Sequence, residues 1–217
     1  MWCCMKRKSA SVLHLICLAV LASMLFSTVV SAEIAVGVKQ GHWIEYKVSA
    51  TGDVPEGHDV TWSKIEVTNV EGTNISVKIT SRYSDTLEHN ENYTLNLATG
   101  QIGDSFIIPA NLNVGDVFNS TEGNITITEI KDRSYAGANR NVVYANTTTT
   151  QFYWDRSTGV LVEADSSYPN FDIISKVERT NLWQAQIFGI DSFVFSVPII
   201  AVVIAVLAFF MFRKIKN

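Results

Sequence analysis

From Ser192 to Phe212 the chain runs twenty-one residues, SFVFSVPIIAVVIAVLAFFMF, without a charge. At about 1.5 Å of rise per residue, such a run matches the roughly 30 Å hydrocarbon core of a bilayer. In lipid every backbone N–H and C=O must be satisfied within the segment, so a lone run of this length is expected to be helical. Arg213, Lys214 and Lys216 follow it, and basic residues flanking a span stay on the cytoplasmic side. The expectation is therefore a single transmembrane helix over 192–212, a cytoplasmic basic tail over 213–217, and everything earlier presented outside the plasma membrane. Asp191 marks the outer boundary, because a carboxylate is costly at membrane depth and favourable beside the positive start of a helix. Trp183 sits where an interfacial anchor is expected, with 183–191 as a juxtamembrane linker. Pro198 falls in about the second turn, where a missing donor costs little, so one helix with a bend is predicted. With no ionisable residue inside it, the span reads as an anchor and not as a channel or transporter.

The other end is consistent with export. Lys6, Arg7 and Lys8 precede an apolar stretch from Val12 to Val30, and Val30-Ser31-Ala32 offers the small residues of a signal-peptidase site before Glu33. Residues 1–32 are read as a signal peptide or an uncleaved signal anchor; both place 33–182 outside. Cys3, Cys4 and Cys17 all lie in that leader. An exported domain without cysteine has no disulfides and must rest on its core, and about 150 residues suffice for one. From Glu33 to Gln186 there are 20 acidic and 11 basic residues, a net of −9, with no basic run. A nucleic-acid partner, which needs a Lys/Arg stripe, is excluded.

The exported segment alternates with a period of two. Ile44, Tyr46 and Val48 share one face; Ile65 and Val67, then Ile75, Val77 and Ile79, repeat the pattern around a turn at Gly72. Tyr93, Leu95 and Leu97 follow, closed by Gly100, then the short run Phe106-Ile107-Ile108. Ile125, Ile127 and Ile130 show a slip in period, read as a bulge. Val142–Ala145, Thr150–Trp154, Val160–Val162 and Ile173–Val177 complete the set. Short alternating runs between turn signals indicate about nine or ten antiparallel strands. The fold class is mainly β, an antiparallel sandwich or curved half-barrel. Asp155-Arg156-Ser157-Thr158-Gly159 reads as a hairpin turn, with Asp capping it and Gly at positive φ.

Four segments carry a resemblance: Gly37-Val38-Lys39-Gln40-Gly41-His42-Trp43-Ile44-Glu45-Tyr46, Phe106 to Asp116, Tyr135-Ala136-Gly137-Ala138, and Tyr153 to Glu163. Together they resemble a group of uncharacterised archaeal surface proteins with a signal peptide, a β-rich ectodomain and a C-terminal anchor. The Asp155–Gly159 hairpin is also similar to one in the LolA-like lipoprotein-carrier half-barrels, where an Asp-x-x-Thr-Gly turn joins two strands. That resemblance implies a curved sheet around an apolar groove. Some archaeal surface proteins are cut at a Pro-Gly-Phe motif before a terminal span. Phe188-Gly189-Ile190-Asp191 lacks it, so the span is expected to stay.

Five sequons, at Asn74, Asn92, Asn119, Asn124 and Asn146, lie in the exported segment and are candidate glycosylation sites. The signals for catalysis are poor. His42, His58 and His89 are far apart, with no metal-ligand spacing on a helix. Asp85, Glu88, His89 and Glu91 cluster but lack an EF-hand pattern and read as a solvated loop. No Gly-x-Ser-x-Gly and no phosphate loop occurs; no catalytic, cofactor or metal residue is assigned. Trp43, Trp62, Phe106, Phe152 and Trp154 read chiefly as core and cross-strand partners, with a lining for lipid or sugar as the alternative. The sequence favours a non-enzymatic, membrane-anchored surface domain that binds a ligand, envelope proteins or glycans. The alternative is a carrier of lipid or another apolar ligand in a curved-sheet groove, and after it an exported hydrolase. A deep apolar cavity would favour the carrier, and a cleft with two facing carboxylates the hydrolase.

Overall fold

The computed structural model describes residues 34–100, 105–120, 123–187 and 190–191. The chain divides into two compact units, Met1–Glu33 and Ile34–Asn217; the first lies outside the described residues. So do the expected span Ser192–Phe212, the basic residues Arg213, Lys214 and Lys216, and all three cysteines. No helix among the described residues is long and apolar enough to cross a membrane.

The second unit is mainly β. Its strands are β1 (Trp43–Gly52), β2 (Val60–Glu71), β3 (Asn74–Tyr83), β4 (Glu88–Asn96), β5 (Val117–Ser120), β6 (Gly123–Thr126), β7 (Glu129–Tyr135), β8 (Ala138–Asn146), β9 (Thr150–Asp155), β10 (Leu161–Ser167), β11 (Phe171–Thr180), β12 (Gln186–Ile187) and β13 (Ile190–Asp191). Nine form one antiparallel sheet in the order β4-β3-β2-β1-β11-β10-β9-β8-β7. Two meanders, β1–β4 running outward and β7–β11 running inward, are joined where β1 pairs with β11. The edges β4 and β7 are not hydrogen-bonded to each other.

Alternation decides which face each strand buries. Ile44 and Tyr46 point to the inner face and pair with Ile65 and Ser63 of β2, while Glu45 and Lys47 point out. The same face continues through Val77 and Ile79 of β3 to Tyr93 and Glu91 of β4. On the other side it continues through Val177 and Ser175 of β11 to Ala164 of β10 and Phe152 of β9.

The crossover from β4 to β7 covers part of this inner face. Phe118, Ile125 and Ile127 pack with Val143, Ala145, Phe152, Trp154 and Leu161 in one buried cluster. Trp154 is fully buried, donates from Nε1 to the Ser105 carbonyl at 2.7 Å, and meets Phe118 edge-on with centroids 5.4 Å apart. The apolar run at Phe106–Ile108 is not a strand of the sheet; it makes a single bridge, Ile107 to Val160. The slip at Ile125–Ile130 is not a bulge either. There the chain leaves the small β5–β6 hairpin and enters β7, with Ile127 and Thr128 between the two sheets.

The Asp155–Gly159 turn forms as its residues dictate. Asp155 Oδ1 accepts from the Thr158 amide (2.9 Å), Thr158 Oγ1 (2.8 Å) and Ser157 Oγ (2.7 Å), and Oδ2 accepts from Arg140 Nε (2.7 Å). Gly159 has φ 71°, and a Cβ there would lie 2.0 Å from the Ile108 carbonyl oxygen. No other residue fits.

Candidate functional site

The inner face encloses a cavity of about 550 Å³, walled by β1, β2, β3 and β4 on one side and by β9, β10 and β11 on the other. Strands β4 and β9 stand six places apart in the sheet. At the usual spacing of about 4.8 Å a flat sheet would part them by about 29 Å. That both line one cavity requires strong curvature, with the inner face concave. Phe106 and Ser105 of the crossover complete the lining.

The antiparallel order puts the loops 53–59, 84–87, 147–149 and 168–170 at one end of the sheet. Toward that end the inward residues of four strands turn from aliphatic or aromatic to hydroxyl-bearing: Ile65 to Ser63 on β2, Ile79 to Ser81 on β3, Phe152 to Thr150 on β9, Ala164 to Ser166 on β10; on β11 the order is the reverse, Ser175 to Ile173. Ser63 and Ser81 are bonded to each other at 3.3 Å, and Thr150 to Ser166 at 3.0 Å. On β4 the order is Leu95, Tyr93, Glu91, again apolar to polar toward the loops, with the Tyr93 hydroxyl on Glu91 Oε2. His58 and Tyr168 line the cavity from the loops themselves, and Phe171, just behind, stacks on Tyr168 with centroids 4.6 Å apart. Deeper in, Tyr46 is buried, with its hydroxyl donating to the Leu161 carbonyl at 2.8 Å; burial pushes its pKa far up, so it stays a neutral donor.

The outer face is a ladder of charges and rings. Glu163, buried, accepts from Tyr135 Oη at 2.7 Å and pairs with Lys176 at 3.1 Å and Arg133 at 3.4 Å. Arg133 also lies over Tyr153, 4.0 Å from the ring centroid. Burial, then the Glu163 bond, push the Tyr135 hydroxyl pKa up. Asp165 is raised by burial and then by Glu163. Asp155 is held below the usual carboxylate range: burial opposes this, but the hydrogen bonds from Arg140, Ser157 and Thr158 outweigh it.

The residues singled out from sequence are dispersed. Asn74 opens β3 after the Gly72 turn and is exposed, its Oδ1 accepting from Asn96. Asn92 is exposed on the edge strand β4, Asn124 on β6, and Asn146 at the end of β8. Asn119 lies within β5, where its side chain donates to the Ala98 carbonyl at 3.1 Å. Trp183 is half-buried, donates to the Tyr135 carbonyl at 3.1 Å and carries Arg140 over its ring at 4.7 Å. The stretch after β11 is thus fastened to the β7–β8 hairpin, and Gln186 adds a bond to the Gly137 carbonyl at 2.7 Å. Asp191 pairs with Gln186 in the short β12–β13 ladder.

His42 accepts the Lys39 amide and His89 meets Tyr83 edge-on. The acidic cluster is split, Glu88 paired with Arg82 on the outer face and Glu91 on the inner. Among the described residues no three His, Cys, Asp or Glu side chains are grouped to hold a metal. Of the aromatics, Trp154 is core, Phe106 and Phe152 line the cavity, and Trp43 and Trp62 carry Lys64 and Arg82 over their rings. The serines and Thr150 of the lining were not singled out from sequence; the signal was the change from apolar to hydroxyl along the alternating faces of β2, β3, β9 and β10.

No family model and no curated protein matches the chain. A solved structure of the siderocalin Ex-FABP, described as functioning through dual ligand specificities, matches at 10% identity over 63% of this chain and 70% of that one, with a TM-score of 0.24. At that score the two share too little architecture for residue-level comparison.

Proposed function

We propose that residues 34–187 are a non-enzymatic binding domain shaped as a curved half-barrel, which takes an amphiphilic ligand with one apolar chain into its concave groove. The observation that carries this reading is the 550 Å³ cavity whose lining on β2, β3, β9 and β10 changes from apolar to hydroxyl toward the loop end. A cavity of this size suits a small ligand, and each methylene buried contributes about 0.8 kcal/mol. The gradient orients the ligand, chain against Leu95, Phe106 and Leu161, polar head toward Thr150, Ser166 and His58. Glu91 is the one carboxylate among the described lining residues, which supports binding over the paired-carboxylate chemistry of a glycosidase. In this reading the leader and the Ser192–Phe212 run place the domain outside the plasma membrane on a single anchor, with the sequons available for glycans.

The test uses the full chain, detergent-free in phosphatidylcholine nanodiscs, with N-phenylnaphthylamine as a neutral fluorescent probe and empty nanodiscs as reference. Saturable enhancement should appear, and Val48→Trp and Ser175→Trp, which fill the groove, should abolish it while leaving the far-UV spectrum intact. Equal enhancement in the folded variants overturns the reading.

A further inference from the structure

The groove has a charge bias as well as a shape. No Lys or Arg is among its described lining residues, and its one carboxylate is Glu91. The loops at its open end, 53–59, 84–87, 147–149 and 168–170, contain Asp53, Glu56, Asp59 and Asp85 and no Lys or Arg; their one imidazole is His58. The nearest guanidinium in sequence, Arg82, lies on the outer face and is engaged by Glu88 at 2.6 Å. A carboxylate or phosphate head brought to this end would lose water with no Lys or Arg among the described lining residues to meet it, and would face the field of these acids. A cationic head gains from the same field, and the low-dielectric walls strengthen that gain.

We infer that the groove selects amphiphiles with a cationic head, of the alkylammonium class, the apolar chain lying along Leu95, Phe106 and Phe152 and the charge seated beside Glu91 toward the acidic loops. This rests on the groove being the binding site. Glu91 suits the role by position: it points to the inner face opposite Ile79, on the loop side of Tyr93 and Leu95. The Tyr93 hydroxyl bonded to its Oε2 orients the carboxylate. Thr150 and Ser166, across the groove, offer hydroxyl oxygens to an ammonium N–H.

The experiment compares dodecylammonium, dodecanol and dodecanoate as competitors of N-phenylnaphthylamine on the full chain in phosphatidylcholine nanodiscs. Each is corrected for partition into empty discs, at low and at high salt. The amine should compete at least tenfold more strongly than the alcohol at low salt, and the carboxylate should be weakest. High salt should narrow the amine–alcohol gap, since exposed charges are screened. Glu91→Gln should reduce amine affinity several-fold and leave dodecanol unchanged; Asp85→Asn, at the rim, should have a smaller effect in the same direction. If the alcohol competes but the amine is no better, or the carboxylate is best, the charge inference fails and the groove stands. If none of the three displaces the probe, the groove reading itself fails.

Discussion

Strands β4 and β9 belong to the same sheet and could hardly be buried more differently. On β4 the first seven of nine residues are exposed, and only Leu95 is buried. On β9 five of six are buried, with Phe152 and Trp154 against the β5–β6 hairpin and Tyr153 on the opposite face. Strand β10 likewise begins with four consecutive buried residues. The β8–β10 half buries residues of both faces, although Phe152, Leu161 and Ala164 also border the groove; the β2–β4 half buries only its inner face, through Ile65, Val67, Ile75, Val77 and Leu95, and leaves the outer face largely to solvent. Charges and polar side chains along β4, His89 and Glu91 among them, also suit an exposed edge.

The largest expected effect is in the covered half. Trp154→Ala should cost about 3–5 kcal/mol in denaturant unfolding, whereas Ile79→Ala, on the half-buried groove wall, should cost clearly less. Equal losses would erase the distinction between the halves. Next in size, Asp155→Ala leaves Arg140 without its buried partner and should cost about 3 kcal/mol. The Asp155 pKa is depressed in the folded state. Its contribution is therefore complete above the unfolded-state value near 3.8 and is lost as pH falls through the folded value. The wild-type protein should lose stability in that acid window more steeply than Asp155→Asn, measured by unfolding at a series of pH values. Parallel curves would show that the pair does not titrate with folding.

Amide hydrogen exchange sharpens the comparison without mutation. Amides of β8, β9 and β10 should exchange last and those of β4 first, since opening the one-sided edge exposes little apolar surface. A β4 as protected as β9 would mean that something covers the edge. The smallest effect is expected at Asp165, whose carboxylate is partly buried beside Glu163 on the outer face. Its pKa is raised, so the cost of its charge is present at neutral pH and disappears as pH falls below the unfolded value. Asp165→Asn should raise the melting temperature slightly at pH 7 and not at pH 3. A lower melting temperature at pH 7 would show that the charge is stabilising there.

Much of this was legible in the chain. The inward sets Ile44-Tyr46-Val48 and Ile75-Val77-Ile79 follow from alternation, because a pleated strand sends successive side chains to opposite faces whatever surrounds it. The Asp155–Gly159 turn was equally readable, since a capping carboxylate and a positive-φ glycine are local chemistry. Where local period and tertiary role part, the reading slipped. Ile125–Ile130 looked like one strand with a bulge and is two strands in two sheets; Phe106–Ile108 looked like a strand and is part of the crossover that borders the groove. The bond from Trp183 to the Tyr135 carbonyl joins residues 48 apart, a contact that no local pattern encodes.

The sequence by itself determined an acidic chain of alternating strands, with faces and turns assigned by short-range sterics. Only the tertiary structure decided that β11 returns to lie beside β1, that the sheet bends until β4 and β9 share one cavity, and that Ser63, Ser81, Thr150 and Ser166 all face it. Pairing across more than a hundred residues is set by how the two meanders bury their inner faces together, and no local pattern encodes that distance.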